Sequence, residues 1–213
     1  ERGIQFGPYS CRWSRPSCSI LWCGANGNVG LAERRERAMQ ALTYWKTVTM
    51  DKSNLIEQLF AFLDEHQIRY CLIGGQAVNA YVDPLISLDL DLVVAIDQLE
   101  QAETLLAATF NVRCSPCRLN VSLPDSNVRV QIQTDPRYFD FVARSQIQEV
   151  LGLPLPVARI EDVLQGKIWA LQDSERRTSK RHKDLTDVTR ILEAYPQLRS
   201  QVPAEILAKL SAF

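Results

Sequence analysis

The stretch that most constrains this chain is residues 72–94, Leu-Ile-Gly-Gly-Gln-Ala-Val-Asn-Ala-Tyr-Val-Asp-Pro-Leu-Ile-Ser-Leu-Asp-Leu-Asp-Leu-Val-Val. It predicts an apolar strand running into a Gly-Gly turn, a short helix that carries the chain back, and a second strand with Asp89 and Asp91 among aliphatic residues. Gly74 and Gly75 have no Cβ, so backbone N–H groups there can come close to a ligand at a helix start, where unpaired donors and the dipole favour phosphate. Asp89 and Asp91 are two positions apart, which puts both carboxylates on one face of a strand, roughly 7 Å apart. Aspartate is a poor strand residue, and neighbouring carboxylates repel unless a cation lies between them. A phosphate cradle beside a divalent-metal site is what phosphoryl or nucleotidyl transfer needs. The plainer alternative is that Asp-Leu-Asp is the wet face of a half-buried strand whose leucines face the core.

The combination of a Gly-Gly turn, a short helix and a strand carrying Asp-x-Asp resembles the nucleotidyltransferase fold of the DNA polymerase β superfamily. Within that superfamily it is most similar to the small bacterial and archaeal AbiEii/AbiGii-type nucleotidyltransferases, a group that includes toxins of toxin–antitoxin systems. The resemblance runs from about residue 50 to the C-terminus and leaves out the first stretch.

Composition narrows the surroundings. At 213 residues, 46% hydrophobic and 23% charged, the chain holds one sizeable core, or a core with a small helical addition. Its formal net charge of −1 demands neither nucleic acid nor an anionic membrane, so any polyanion site is local. No apolar run approaches the roughly 20 residues that span a bilayer. The expected setting is a cytoplasm with reduced thiols and no membrane partner. The six cysteines form no framework. Cys11, Cys18 and Cys23 lie in the first stretch, Cys71 sits in an apolar strand, and Cys114 and Cys117 make a lone Cys-x-x-Cys. His66 and His182 belong to separate helical patterns, so zinc has no basis.

Residues 1–49 read as a poorly structured extension. They hold three of the four tryptophans, lack a clear apolar period, and string Gly24-Ala25-Asn26-Gly27-Asn28 into a turn-rich segment. Residues 33–39 have helical composition, and the functional chain is expected to start near Met50, or at Met39. Beyond Met50, Asn54 with Glu57 predicts a capping box ahead of an apolar stripe of Leu55, Ile56, Leu59, Phe60 and Leu63. His66 falls at the C-terminal end of that helix. Residues 70–73 give the first core strand, 75–81 the short helix and 88–95 the second strand. Asp97 with Glu100 predicts a second capping box. Residues 111–114, 119–122 and 128–133 read as short strands, the last two joined by a turn at Pro124-Asp125-Ser126-Asn127.

In residues 128–133, Val128, Val130 and Ile132 face the core, so Arg129, Gln131 and Gln133 share the opposite face. The resemblance implies a third carboxylate on this neighbouring strand, and glutamine stands in its place. An amide oxygen coordinates a hard cation but accepts no proton usefully. Asp135 follows the strand and offers a substitute, although Asp135-Pro136 is also a natural helix start. Residues 150–157, with Pro154 and Pro156, read as an extended edge or linker. Ile160, Val163, Leu164, Ile168 and Leu171 recur at helical spacing, and Lys167 among them either snorkels to water or reaches a triphosphate. The resemblance favours the triphosphate.

Residues 174–183 form the one basic cluster, with Arg176, Arg177, Lys180, Arg181 and Lys183. Lys183 with Asp187, and Asp187 with Arg190, have the spacing of ordinary surface ion pairs on a helix. Alternatively the cluster holds a triphosphate or an RNA backbone. The segment Lys183, Asp184, Asp187 matches the Lys-Asp-x-x-Asp pattern of the AbiEii-like group.

The expected fold is α+β: a small mixed sheet with flanking helices over residues 50–145, and a helical portion, residues 146–213, packed on it. The resemblance implies a nucleotidyltransferase that moves a nucleoside monophosphate from an NTP to an RNA end or a protein hydroxyl, with an antitoxin as a further partner. Asp89 and Asp91 would bind one or two Mg²⁺. Gly74, Gly75, Lys167, Lys183, Asp184 and Asp187 would hold the nucleotide, and Gln131 and Gln133 would contribute from the third strand. The alternative is a nucleotide-binding or partner-binding module that keeps the fold without the chemistry, and a purely structural protein is the third option.

Overall fold

A computed structural model describes residues 31–210, with side chains from residue 40 onward. The expectations for Cys11, Cys18, Cys23 and residues 24–28 lie outside these. The first strand, β1 (Tyr70–Ile73), leads through α3 (Gly74–Asn79) into β2 (Asp89–Val94). Then come α4 (Leu99–Thr109), β3 (Asn111–Ser115), β4 (Arg118–Ser122), β5 (Arg129–Gln133) and α5 (Asp140–Arg144). The chain closes with β6 (Gln146–Val150), β7 (Leu153–Val157), α6 (Ile160–Gln172), α7 (Thr178–Ala194) and α8 (Ala204–Leu210).

The strands form one seven-stranded mixed sheet in the order β3-β4-β5-β2-β1-β7-β6. β2 runs parallel to β5 and β1 parallel to β7, and the remaining neighbours are antiparallel. Period-two alternation gives the two faces of the sheet different roles. Tyr70 and Leu72 pair with Val94 and Leu92 on one face. There the Phe60 ring of α2 (Leu55–Glu65) stacks on Tyr70 at 5.4 Å between centroids. Ile73 pairs with Asp91 on the other face, toward α6 and α7. The predicted stripes of α2 and α6 are buried as expected.

The sequence reading is corrected at four places. Residues 31–49 are not unstructured, since they form α1 (Leu31–Thr49), and Trp45 is 4% exposed. The Trp45 indole N–H donates to Ser87 O at 2.8 Å, which ties α1 to the loop ahead of Asp89. The Asn54–Glu57 capping box does not form. Asn54 adopts a left-handed backbone, φ 53°, and Asp51 Oδ1 accepts from Leu55 N instead. Lys46 takes both expected partners, donating to Asn54 Oδ1 and pairing with Glu57. The Asp97–Glu100 box is likewise absent, because Asp97 pairs with Arg69 across the end of β1 and a 3-10 turn precedes α4. Finally, residues 146–157 are neither linker nor helical portion. Pro154 and Pro156 sit in β7, whose Val157 pairs with Leu72, so the sheet extends past residue 145. His66 does end α2, its Nδ1 2.9 Å from Phe62 O.

Burial of Trp45 makes α1 part of the folded unit. Trp45→Ala should lower stability by about 3 kcal/mol, read from urea denaturation of the full chain, and a chain beginning at Met50 should lose a similar amount. Equal midpoints in all three proteins would show that α1 contributes nothing.

Candidate functional site

Asp89 and Asp91 open onto a cavity of about 330 Å³. Ile73, Gly74, Gln131, Gln133, Lys167, Lys180 and Asp184 are among the residues that line it. β2 supplies the carboxylates by alternation: Leu90 and Leu92 are fully buried on the other face. Gly74, at φ +69°, packs against Asp91, and a Cβ there would lie 2.2 Å from Asp91 Oδ2. The glycine is therefore required by the carboxylate as well as by the backbone. Gly75 is similarly confined, since its Cβ would meet Ser87 Oγ at 2.7 Å.

The parallel register sets Asp91 beside Gln131 and Asp89 beside Arg129. Gln131 thus stands next to Asp91, where the resemblance implies a third carboxylate. Asp135 does not replace it. Its side chain caps the following turn and binds Arg137, with Nη2 to Oδ2 at 2.6 Å. Among the described residues, no cluster of three His, Cys, Asp or Glu side chains is arranged to hold a metal.

The two carboxylates differ electrostatically. Asp89 Oδ2 accepts from Lys180 Nζ at 2.6 Å, and Arg129 Nη1 lies 4.0 Å from Oδ1. Partial burial raises the Asp89 pKa, but Lys180, Lys183 and Arg129 outweigh it and hold the carboxyl below its ordinary value. Asp91 forms no salt bridge or side-chain hydrogen bond among the described residues. Burial, with the charge of Asp89 added, raises its pKa despite the pull of Lys167.

Behind this pair lies a buried network built by α6 and α7. Lys167 does not snorkel. It is 6% exposed, with Nζ 3.0 Å from Asp184 Oδ1 and 2.7 Å from Asp187 Oδ2. Burial lowers its pKa, but the two carboxylates overcome this and raise it. Arg176 pairs with Asp184 at 2.6 Å and Arg190 with Asp187 at 2.9 Å. The expected Asp187–Arg190 pair is therefore present, though inside the molecule and not on its surface. The Lys183–Asp187 pair is not made. Lys183 Nζ reaches instead across to Ser87 Oγ at 3.1 Å. Hence Gly74, Lys167, Asp184, Gln131 and Gln133 share the cavity with the aspartates. Gly75 and Lys183 meet at Ser87 beside it, and Asp187 stands behind Lys167. Sequence reasoning gave no separate role to Lys180 or Ser87.

Outward from Asp91, the face of β5, β4 and β3 is polar. Rows of partners run Asp91, Gln131, Asn120, Arg113 and Gln133, Arg118, Ser115. Leu119, Val121, Val130 and Ile132 are buried on the reverse. Arg113 and Arg118 have no ion-pair partner among the described residues. Below the cavity, Tyr138, Phe141 and Trp169 pack ring against ring, and Gly166 leaves room for the Tyr138 ring.

A family model described as nucleotidyl transferase AbiEii toxin, type IV TA system, matches residues 107–212. The match begins downstream of Gly74 and Asp91, so it is independent of residues 72–94. Over residues 107–212 the chain is similar to the AbiEii nucleotidyltransferases. No curated protein matches it. Among solved structures, this chain is similar to the antibiotic-resistance factor ANT(2'')-Ia, with 13% identity and a TM-score of 0.49, covering 74% of this chain and 88% of that one. The lincosamide antibiotic adenylyltransferase LnuA, lincomycin-bound, gives 13% and 0.46, with 67% and 99% covered. An antigenic nucleotidyltransferase-like protein from Paracoccidioides brasiliensis gives 20% and 0.43, with 70% and 75% covered.

Lys167→Met removes the one cation shared by two buried carboxylates. It should destabilise the fold by about 3 kcal/mol in urea denaturation, with part of the loss recovered when Asp184→Asn is added. At pH 7 without divalent ions, the aspartates should respond with opposite signs. A depressed folded-state pKa stabilises above the unfolded value and loses that contribution as pH falls through the folded one, so Asp89→Asn should lower the urea midpoint at neutral pH. A raised folded-state pKa makes the ionised form unfavourable at neutral pH, so Asp91→Asn should raise the midpoint.

Proposed function

We propose that this protein transfers a nucleoside monophosphate from an NTP to the end of an RNA with the help of Mg²⁺. The observation that carries the reading is the pair Asp89 and Asp91 at the inner edge of an open polar sheet face. That face bears Arg113, Arg118 and Arg129.

The donor set suits a hard divalent cation. Asp91 lacks a cationic partner at ion-pair distance, Asp89 adds repulsion beside it, and the Gln131 amide oxygen is one strand away. Asp89 and Asp91 would hold the ion, which supplies charge neutralisation at the phosphates and polarises the transferred phosphoryl group. Gly74, on the cavity wall, would bring its backbone close to the phosphates, with Gly75 behind it. Lys167, held by Asp184 and Asp187, and Lys183 beside Ser87 place fixed positive charge near the phosphates. An acceptor hydroxyl oxygen bonds to the α-phosphorus, the bond to the β-phosphate oxygen breaks, and pyrophosphate and one proton leave.

Arg129 and Arg118 sit near opposite ends of the polar face, and strand rise puts them roughly 13 Å apart. Arg113 lies two strands out from β5, about 10 Å across the sheet. Guanidiniums at such spacings, two of them, Arg113 and Arg118, without an ion-pair partner among the described residues, suit the phosphates of a nucleic-acid strand better than a protein surface. The family description brings a toxin role and a cognate antitoxin into the same proposal. No helix among the described residues is long and apolar enough to cross a membrane.

A second reading rests on Gln131. With no third carboxylate to accept a proton or complete a metal site, the chain would bind nucleotide without turning it over. One experiment separates the two: the full chain with α-labelled NTPs, Mg²⁺ and total RNA, beside an Asp89→Asn, Asp91→Asn double variant. Label on RNA with the wild type alone is the expected result. Label on protein would move the acceptor to a protein hydroxyl, and nucleotide bound without transfer would leave the binding module.

A further inference from the structure

We infer that Lys180 stands where a second cation would otherwise sit at the aspartate pair, so that the site accepts a single divalent ion, on the Asp91 side. This rests on the metal-dependent reading above and adds which charges are ionic and which belong to the chain.

Both oxygens of Asp89 already face protein cations. Lys180 Nζ is 2.6 Å from Oδ2, and Arg129 Nη1 is 4.0 Å from Oδ1. Lys180 is not a wandering surface lysine. It lies on α7 one turn before Asp184, which Lys167 and Arg176 anchor at 3.0 and 2.6 Å, while Lys183 on the same turn is tied to Ser87 at 3.1 Å. The helix is thus pinned within the turn after Lys180, with its ammonium reaching from α7 to β2.

Asp91, by contrast, forms no salt bridge with any described residue and has the uncharged Gln131 beside it. Asp89, Asp91 and Lys180 together carry a charge of −1. One divalent ion reverses that to +1, a match for a phosphate chain. A second ion would meet Lys180 at contact distance, and Gln131 brings no negative charge to offset it. The glutamine and the lysine are therefore complementary: an uncharged amide stands beside Asp91, and an ammonium does the work of an ion beside Asp89.

The test counts ions. Mn²⁺ alone is titrated into the full chain and free Mn²⁺ is followed by electron paramagnetic resonance, with thermal melting as a check on folding. The wild type should bind one ion, lost in Asp91→Asn. Lys180→Met should bind two, or one with affinity tightened about tenfold, since Asp89 is then released to the metal. Lys180→Arg should restore wild-type behaviour, which a merely structural role for the side chain would not predict. Two ions in the wild type, or a Lys180→Met titration identical to it, overturns the inference while leaving the metal-dependent reading in place. No bound ion in any folded variant overturns both.

Discussion

Lys167 is the interaction on which the rest of the site depends. An ammonium removed from water is tolerated only because two carboxylates meet it, and those carboxylates are tolerated only because Arg176 and Arg190 complete their pairing. The network fixes α6 against α7. Arg190 extends it further by donating to Asn79 Oδ1 and Asp83 O at the end of α3. The chain after the Gly-Gly turn is therefore held from the far side by the charges that line the back of the cavity. Such a network is rigid because no member can leave without stranding another.

The Asp89–Asp91 pair follows a different logic. Asp91 is held against Gly74 without hydrogen-bonding compensation from the described residues, an arrangement that lowers stability and keeps a carboxylate available. Asp89 is compensated by side chains from another helix and a neighbouring strand. Two identical residues, two positions apart on one strand, thus differ in what they have left to offer a ligand. Their backbone spacing is the same as in any strand, and their partners make the difference.

Much of this was legible in the sequence. Alternation in residues 89–94 and 129–133 predicted which side chains share the site face, and the register confirms Gln131 beside Asp91. The apolar stripe of α6 was readable from its period. What stayed hidden was partner choice over long separations. Lys180 and Asp89 are far apart in sequence, as are Trp45 and Ser87, and no local pattern joins them. Asn54 and Asp97 satisfied a local rule and were drawn away by Lys46 and Arg69, tertiary partners the capping box does not anticipate. The prolines of β7 suggested an extended edge or a linker; the segment is extended, with β6 on one side and only a short parallel contact to β1 on the other.

That short contact has a consequence in time. β1 and β2 pair as soon as residues 70–94 exist, yet β1 receives its other neighbour only when residue 157 is available, and the buried lysine finds its carboxylates later still. A pairing across such a length of chain is slow to form, because loop closure comes before any reward. During synthesis, Asp89 and Asp91 are thus made long before the helices that complete their surroundings. A nascent chain on the ribosome carries the acidic strand without the cavity, and whatever the finished site does begins only once the segment through Arg190 has emerged.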